Sequence, residues 1–123
     1  MIHNSLFGGT LARVLVVDDE LALRAVMRRA LERSGHEVRE ACDGAVAWQK
    51  IRSQPPDVVV TDVTMPVMSG TQLAKLLRTE PSTAPIPIVV VSAHIPHDTP
   101  ANVRVAKPFH AEEIVEAVNG LLR

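Results

Sequence analysis

Short continuous apolar runs alternate along this chain with segments in which apolar residues recur every three or four positions. Each run, such as VLVV at residues 14–17, is typical of a strand that is buried on both faces of a sheet. The segments between the runs are typical of helices that bury one face. The predicted strands are residues 13–17, 36–41, 58–61, 88–91 and 103–106, and the predicted helices are residues 21–34, 45–52, 71–78 and 111–122. This alternation favours a parallel sheet with helices on both of its faces.

The size and composition of the chain favour one globular domain in a reducing compartment. Its 123 residues suit a single domain at 13–123, preceded by an N-terminal extension at 1–12 that we expect to be disordered up to Gly9. The net charge of −1 gives no support to direct nucleic-acid binding, which favours a basic stripe. The single cysteine, Cys42, cannot form an internal disulfide, and no stretch resembles a signal peptide or a membrane span. We therefore expect a cytoplasmic protein without membrane insertion.

Four arginines cluster at helical spacing in the first predicted helix. Because residues three and four apart share one side of a helix, we interpret Arg24, Arg28, Arg29 and Arg33 as a solvated face.

Polar side chains stand where the apolar runs end. These residues are Asp18 and Asp19 after the first run, Asp62 after the third, Ser92 after the fourth and Lys107 after the fifth. Because the carboxyl ends of parallel strands share one edge of a sheet, all five should lie on one rim, where such sheets bind ligands.

The predicted rim has the chemistry of a cation and phosphoryl site. Three neighbouring carboxylates repel one another unless a cation lies among them, and oxygen ligands suit Mg²⁺. With Lys107 opposite, a dication and three ionised aspartates give a site near neutrality, and a carboxylate is a recognised nucleophile for phosphoryl transfer. Taken alone, Asp18 and Asp19 could instead cap a helix. His94 and His97, in a polar loop without a third soft ligand, are interpreted as surface residues.

The segments LVVDDE, VVVTDVTMPVMSG, VVVSAH and AKPF resemble, in order, the motifs of the response-regulator receiver domains of two-component signalling. The resemblance covers residues 13–123. It implies a flavodoxin-like, doubly wound (βα)₅ parallel sheet with strand order 2-1-3-4-5.

The resemblance also implies a role for each matching residue. Asp62 is the implied phosphoacceptor, and the implied Mg²⁺ ligands are Asp18, Asp19, Asp62 and the Thr64 carbonyl. Lys107 is the implied phosphoryl contact and Ser92 the implied switch hydroxyl. The resemblance further implies a cis bond at Lys107–Pro108, a glycine at Gly70 that lets the loop turn into the next helix, and positions that tune phosphate lifetime at Thr64 and His94.

Two features depart from the family pattern. Residues 93–102 contain Pro96 and Pro100, and a proline inside a helix costs roughly 3 kcal/mol. We therefore predict that the family's fourth helix is missing or reduced to a loop.

The second departure is Arg104, which stands where the family's switch aromatic is expected. An arginine cannot fill an apolar pocket as an aromatic ring does.

The leading hypothesis is a stand-alone receiver that accepts a phosphoryl group on Asp62 from a histidine kinase or phosphotransfer protein and relays it to a downstream protein. It would not be an enzyme beyond slow self-dephosphorylation. The alternative is a degenerate receiver that acts as a phosphorylation-independent interaction module. A small aspartate-based phosphohydrolase is disfavoured, because those enzymes usually have D-x-D after the first strand and this chain has adjacent Asp18 and Asp19.

Overall fold

A five-stranded parallel sheet forms the centre of the protein in the computed structural model, which describes residues 3–4 and 10–123. Its strands are β1 (Arg13–Val17), β2 (Glu37–Ala41), β3 (Val58–Thr61), β4 (Ile88–Ser92) and β5 (Val103–Ala106). They lie in the order β2-β1-β3-β4-β5, and each neighbouring pair is parallel. This is the strand order 2-1-3-4-5 of the flavodoxin-like fold, as predicted.

Four helices within residues 10–123 cover the two faces of the sheet. They are α1 (Leu21–Arg33), α2 (Gly44–Ser53), α3 (Gly70–Thr79) and α4 (Ala111–Leu122). Every helix bound lies within one residue of the predicted one. Helix α1 ends before Gly35, whose φ of 95° is a conformation that glycine adopts without strain.

The alternation of side chains along the strands divides the core into two layers. Val14 and Val16 pack with Met27 and Leu31 of α1 and with α4 on one face. Leu15 and Val17 face the other way and pack with residues of α2 and α3. The central strands are therefore buried on both faces, which explains their continuous apolar runs.

The connection between β4 and β5 is a loop without a helix, as its prolines predict; the structure describes all of residues 93–102. Ile95 and Ala101 pack against the core layer beneath α3. The loop is also tied to α3, because the hydroxyls of Thr71 and Thr99 lie 2.8 Å apart and Lys75 Nζ lies 2.7 Å from Asp98 Oδ2. The loop thus covers part of the sheet that a helix would otherwise cover.

The predicted N-terminal extension lies only partly within the described residues. His3–Asn4 pairs with Thr10–Leu11 as a short antiparallel ladder, whereas residues 1–2 and 5–9 lie outside the described part. Ala12 is buried, and its carbonyl accepts the Glu37 amide at 2.9 Å. The boundary at residue 13 stays a prediction, as does disorder up to Gly9.

No helix among the described residues is long and apolar enough to cross a bilayer. The cytoplasmic location stays a prediction.

Candidate functional site

The ends of β1 and β3 place Asp18 and Asp62 side by side. Val17 pairs with Thr61 in the parallel ladder, and the Asp62 amide continues it by donating to the Val17 carbonyl at 2.9 Å. Asp18 and Asp62 each follow the last residue of their strand, so both emerge at the same edge of the sheet.

Three aspartates form an acidic cluster at this edge. Asp18, Asp19 and Asp62 each offer one carboxylate oxygen, and these oxygens all lie within 4.8 Å of one another. Asp18 is fully buried and Asp62 is only 6 % exposed, whereas Asp19 is exposed. The sequence-based prediction that these three meet is confirmed.

Each buried carboxylate has one oxygen fixed by a local amide. Asp18 Oδ1 accepts the Glu20 N–H at 2.8 Å, and Asp62 Oδ1 accepts the Val63 N–H at 2.7 Å. Their second oxygens face Lys107, whose Nζ lies 3.4 Å from Asp18 Oδ2 and 3.4 Å from Asp62 Oδ2. The Lys107 ammonium therefore forms an ion pair with both carboxylates.

Burial and charge act in opposite directions on this group. Burial raises the pKa of Asp18 above its ordinary value, against the opposing effects of the Glu20 amide and Lys107. Burial by itself would lower the pKa of Lys107, but Asp18 and Asp62 together outweigh it and raise that pKa. Lys107 is therefore a fixed positive charge at neutral pH.

The remaining predicted residues lie around this centre. Ser92, at the end of β4, is 5 % exposed, and its carbonyl accepts the Lys107 amide at 3.1 Å. Thr64 and His94 are exposed in the loops that follow β3 and β4. The Lys107–Pro108 bond is cis, as the resemblance implied. The phosphate, switch and ligand roles of these residues stay predictions.

Gly70 holds the β3–α3 loop against Asp62 by its lack of a side chain. A Cβ at this position would lie 1.8 Å from the Asp62 carbonyl oxygen, and the Gly70 amide donates to the Val63 carbonyl at 2.8 Å. The requirement for glycine is therefore the close approach of two backbones, whereas the sequence suggested only a turn into the helix.

The donor set fits a hard divalent cation. When ionised, three carboxylates and one ammonium leave a net charge of −2, and the cluster offers oxygen atoms only. Mg²⁺ is bound in proteins by one or two carboxylates together with water and phosphate oxygens. Asp18, Asp19 and Asp62 are the residues that would hold such an ion.

Sequence reasoning missed one residue of this region. The guanidinium of Arg24 donates from Nη1 to the backbone carbonyl of Asp18 at 2.7 Å. The interpretation of the arginine cluster as a solvated face is wrong for Arg24, whose side chain is only 15 % exposed and is ion-paired with Glu40 on β2. Arg28 also pairs with Glu40, but its side chain stays 37 % exposed. Arg29 and Arg33 are exposed as expected. A helix-to-strand ion pair leaves no periodic signal in one sequence.

Comparison with known families decides the assignment. Residues 14–119 match the response regulator receiver domain family. This chain is a response regulator receiver domain.

Related proteins agree with this assignment. The receiver is 36 % identical over 116 residues to the response regulator MprA of Mycolicibacterium vanbaalenii, a match that covers 90 % of this chain and 50 % of that protein. The chemotaxis response regulator CheY4 of Vibrio cholerae superposes with a TM-score of 0.83 at 29 % identity, covering 90 % of this receiver and 98 % of CheY4. A crystal structure of a response regulator from Chloroflexus aurantiacus gives a TM-score of 0.85 at 32 % identity, with 90 % and 97 % of the two chains covered. The receiver spans about half the length of the curated relatives it matches.

Proposed function

We propose that this receiver accepts a phosphoryl group on Asp62, with Mg²⁺ held by Asp18, Asp19, Asp62 and the Thr64 carbonyl. One observation carries the proposal: the Asp62 carboxylate lies within the acidic cluster, and Lys107 Nζ lies 3.4 Å from its Oδ2. A nucleophile, a cation site and a fixed ammonium are thereby within reach of one phosphoryl group.

The chemistry is an in-line phosphoryl transfer. A carboxylate oxygen of Asp62 forms a bond to phosphorus while the phosphorus–nitrogen bond of a phosphohistidine donor breaks, and the donor imidazole leaves with that electron pair. Lys107 attracts the equatorial phosphoryl oxygens, and in this proposal the Ser92 hydroxyl donates a hydrogen bond to one of them. A bound Mg²⁺ would supply further neutralisation of the phosphoryl charge.

The donor that we propose is a histidine kinase or a histidine phosphotransfer protein. An open cleft of about 400 Å³ adjoins the acidic edge and is lined by Leu23, Val26, Ala93, Lys107, Pro108 and Phe109. Val26, which lines this cleft, is 44 % exposed, and Leu21, at the start of the same helix, is 68 % exposed. Exposed apolar surface beside a reactive group supports the docking of a protein donor there.

We propose no enzymatic turnover beyond slow self-dephosphorylation. Asp19 and Thr64 are exposed at the rim of the site, so water can reach an acyl phosphate on Asp62. A phosphoryl label that persists for days in native buffer would count against this part of the proposal. The stand-alone state, the cytoplasmic location and the absence of direct nucleic-acid contact stay predictions from the sequence.

A second function is favoured by one specific observation. Arg104 stands in place of the switch aromatic, and its guanidinium donates to the carbonyls of Pro96, His97 and Thr99 at 2.8 to 3.5 Å. Since this arrangement does not involve the phosphoryl site, the receiver could act as a phosphorylation-independent interaction module. Beryllofluoride with Mg²⁺ separates the two functions: unchanged partner affinity supports the module, and changed affinity supports the relay.

Intact-mass analysis after treatment with acetyl phosphate and Mg²⁺ tests the leading proposal. We expect one added phosphoryl group on the wild type and none on Asp62→Asn, since that amide cannot act as the nucleophile. Omission of Mg²⁺ should abolish the addition. An equal addition to Asp62→Asn, or none to the wild type, contradicts the proposal.

A further inference from the structure

The turn between β1 and α1, which carries Asp18 and Asp19, is held in place by a side chain outside the acidic cluster. Arg24, in the first turns of α1, reaches back so that Nη1 donates to the Asp18 carbonyl at 2.7 Å. Its Nε donates to Glu40 Oε1 on β2 at 2.8 Å. A single guanidinium thus links the turn to the neighbouring strand.

Strand β2 holds Asp18 through two consecutive residues. The Ala41 carbonyl accepts the Asp18 amide at 3.1 Å, and the Glu40 carboxylate fixes the arginine that binds the Asp18 carbonyl. The backbone N–H and C=O of Asp18 are therefore both anchored to strand β2, the first directly and the second through Arg24. The bond from the Glu20 amide to Asp18 Oδ1 lies inside the turn, so it orients the side chain without fixing the turn to the sheet.

The anchoring group is itself immobilised. Arg28, one helical turn after Arg24, donates from Nη1 to Glu40 Oε2 at 2.9 Å, so both carboxylate oxygens are occupied. The side chains of Arg24 and Glu40 are only 15 % and 25 % exposed. At this burial the pair is screened less than a surface ion pair, and the planar guanidinium loses little freedom for each bond that it forms.

We propose that Arg24 is a positioning residue for the cation site, an inference that rests on the proposed function. By fixing the backbone of Asp18, Arg24 keeps the carboxylates of Asp18 and Asp19 converged on Asp62 before the cation arrives. Mg²⁺ then binds a pre-formed site and does not have to order the turn. Without Arg24, Mg²⁺ binding would also have to order the turn, and the affinity for Mg²⁺ would be lower for that reason.

Calorimetric titration of the full chain with Mg²⁺ tests this inference, with Arg28→Met as the matched control. Both arginines bind Glu40, but only Arg24 reaches Asp18. We expect Arg24→Met to weaken Mg²⁺ affinity roughly tenfold, the lower end of the effect of removing an outer-shell partner. Arg28→Met should stay within about twofold, and Arg24→Lys should fall between them because an ammonium lacks the fork that spans both acceptors.

A second readout separates positioning from general stability. In Mg²⁺-free buffer, the NMR amide signal of Glu20 reports the turn, and Arg24→Met should shift it more than Arg28→Met does. Phosphorylation of Arg24→Met by acetyl phosphate should return to the wild-type yield at saturating Mg²⁺. If Arg24→Met does not fold, Arg24→Lys carries the test, and wild-type Mg²⁺ affinity in that variant overturns the inference.

The outcomes distinguish this inference from the proposed function. Equal Mg²⁺ affinity in wild type, Arg24→Met and Arg28→Met overturns the role of Arg24 alone. An equal loss in the two variants also overturns it, because the effect would then come from Glu40 pairing in general. A wild-type chain that binds no Mg²⁺ overturns both proposals together.

Discussion

Lys107 Nζ lies 3.4 Å from Asp62 Oδ2, although β4 separates the two strands that carry these residues. The lysine side chain spans the end of β4 and reaches the acidic cluster from the far side. Its backbone amide remains bound to the Ser92 carbonyl at 3.1 Å. The position of the ammonium is therefore set by the sheet itself, which makes Lys107 a fixed element of the site.

The first prediction concerns the free energy of unfolding without Mg²⁺. Burial raises the pKa of Asp18 above 3.8, so folding favours its protonated form. The stability that this preference supplies is fully present below the unfolded pKa and is lost as pH rises through the folded pKa. Near neutral pH, we expect Asp18→Asn to raise the free energy of unfolding in EDTA by about 1 kcal/mol, and the gain to vanish toward acid pH.

Urea denaturation at several pH values measures this effect, with Asp98→Asn as a control of opposite sign. The hydrogen bond and charge of Lys75 lower the pKa of Asp98, so its ionised form favours folding. That contribution is present above the unfolded pKa and is lost as pH falls through the folded one. A less stable Asp18→Asn protein near neutral pH, in EDTA, would contradict the burial argument.

The second prediction compares two glycines in helices. Gly70→Ala should lower the free energy of unfolding by about 2 to 4 kcal/mol, because its Cβ would lie 1.8 Å from the Asp62 carbonyl oxygen. Gly120→Ala in α4 should be neutral or stabilise by up to about 1 kcal/mol, because nothing lies within 4 Å of its Cβ position. Chemical denaturation of both variants measures the difference, and equal stabilities would show that the loop does not approach Asp62 this closely.

The third prediction concerns the loop between β4 and β5. Arg104→Met removes the donor to three loop carbonyls, so we expect faster amide hydrogen exchange in residues 96–101. Exchange in β1 and β3 should not change, because Arg104 is exposed and lies outside both core layers. Lys75→Met is the matched control: it breaks the exposed ion pair between Lys75 and Asp98 of the same loop, which solvent screens, so we expect a smaller change in loop exchange. Unchanged loop exchange in Arg104→Met would show that Arg104 does not hold the loop in place.

Much of this architecture could be predicted because its causes are local in the sequence. A continuous apolar run such as 14–17 indicates a strand buried on both faces, and parallel strands bring Asp18 and Asp62 to one edge. The two prolines of residues 93–102 are enough to exclude a helix there. In each case, the physical reason is contained in a short segment.

The features that escaped prediction depend on contacts between distant segments. The Arg24–Glu40 pair requires the register of β2 against α1, which no periodicity encodes. The steric requirement at Gly70 follows from the path of a loop around Asp62, and Arg104 could be recognised as an unusual residue but not as a donor to loop carbonyls. These contacts are set by tertiary packing, and a single sequence does not report it.

Chemical trapping of the phosphorylated residue tests the central claim most directly. Borohydride reduces an aspartyl phosphate to homoserine, and peptide mass spectrometry then locates the converted position. After treatment with acetyl phosphate and Mg²⁺, we predict homoserine at position 62 and aspartate retained at positions 18 and 19. Homoserine at position 18 or 19, or an unmodified Asp62 in a chain that has gained a phosphoryl group elsewhere, would contradict the account.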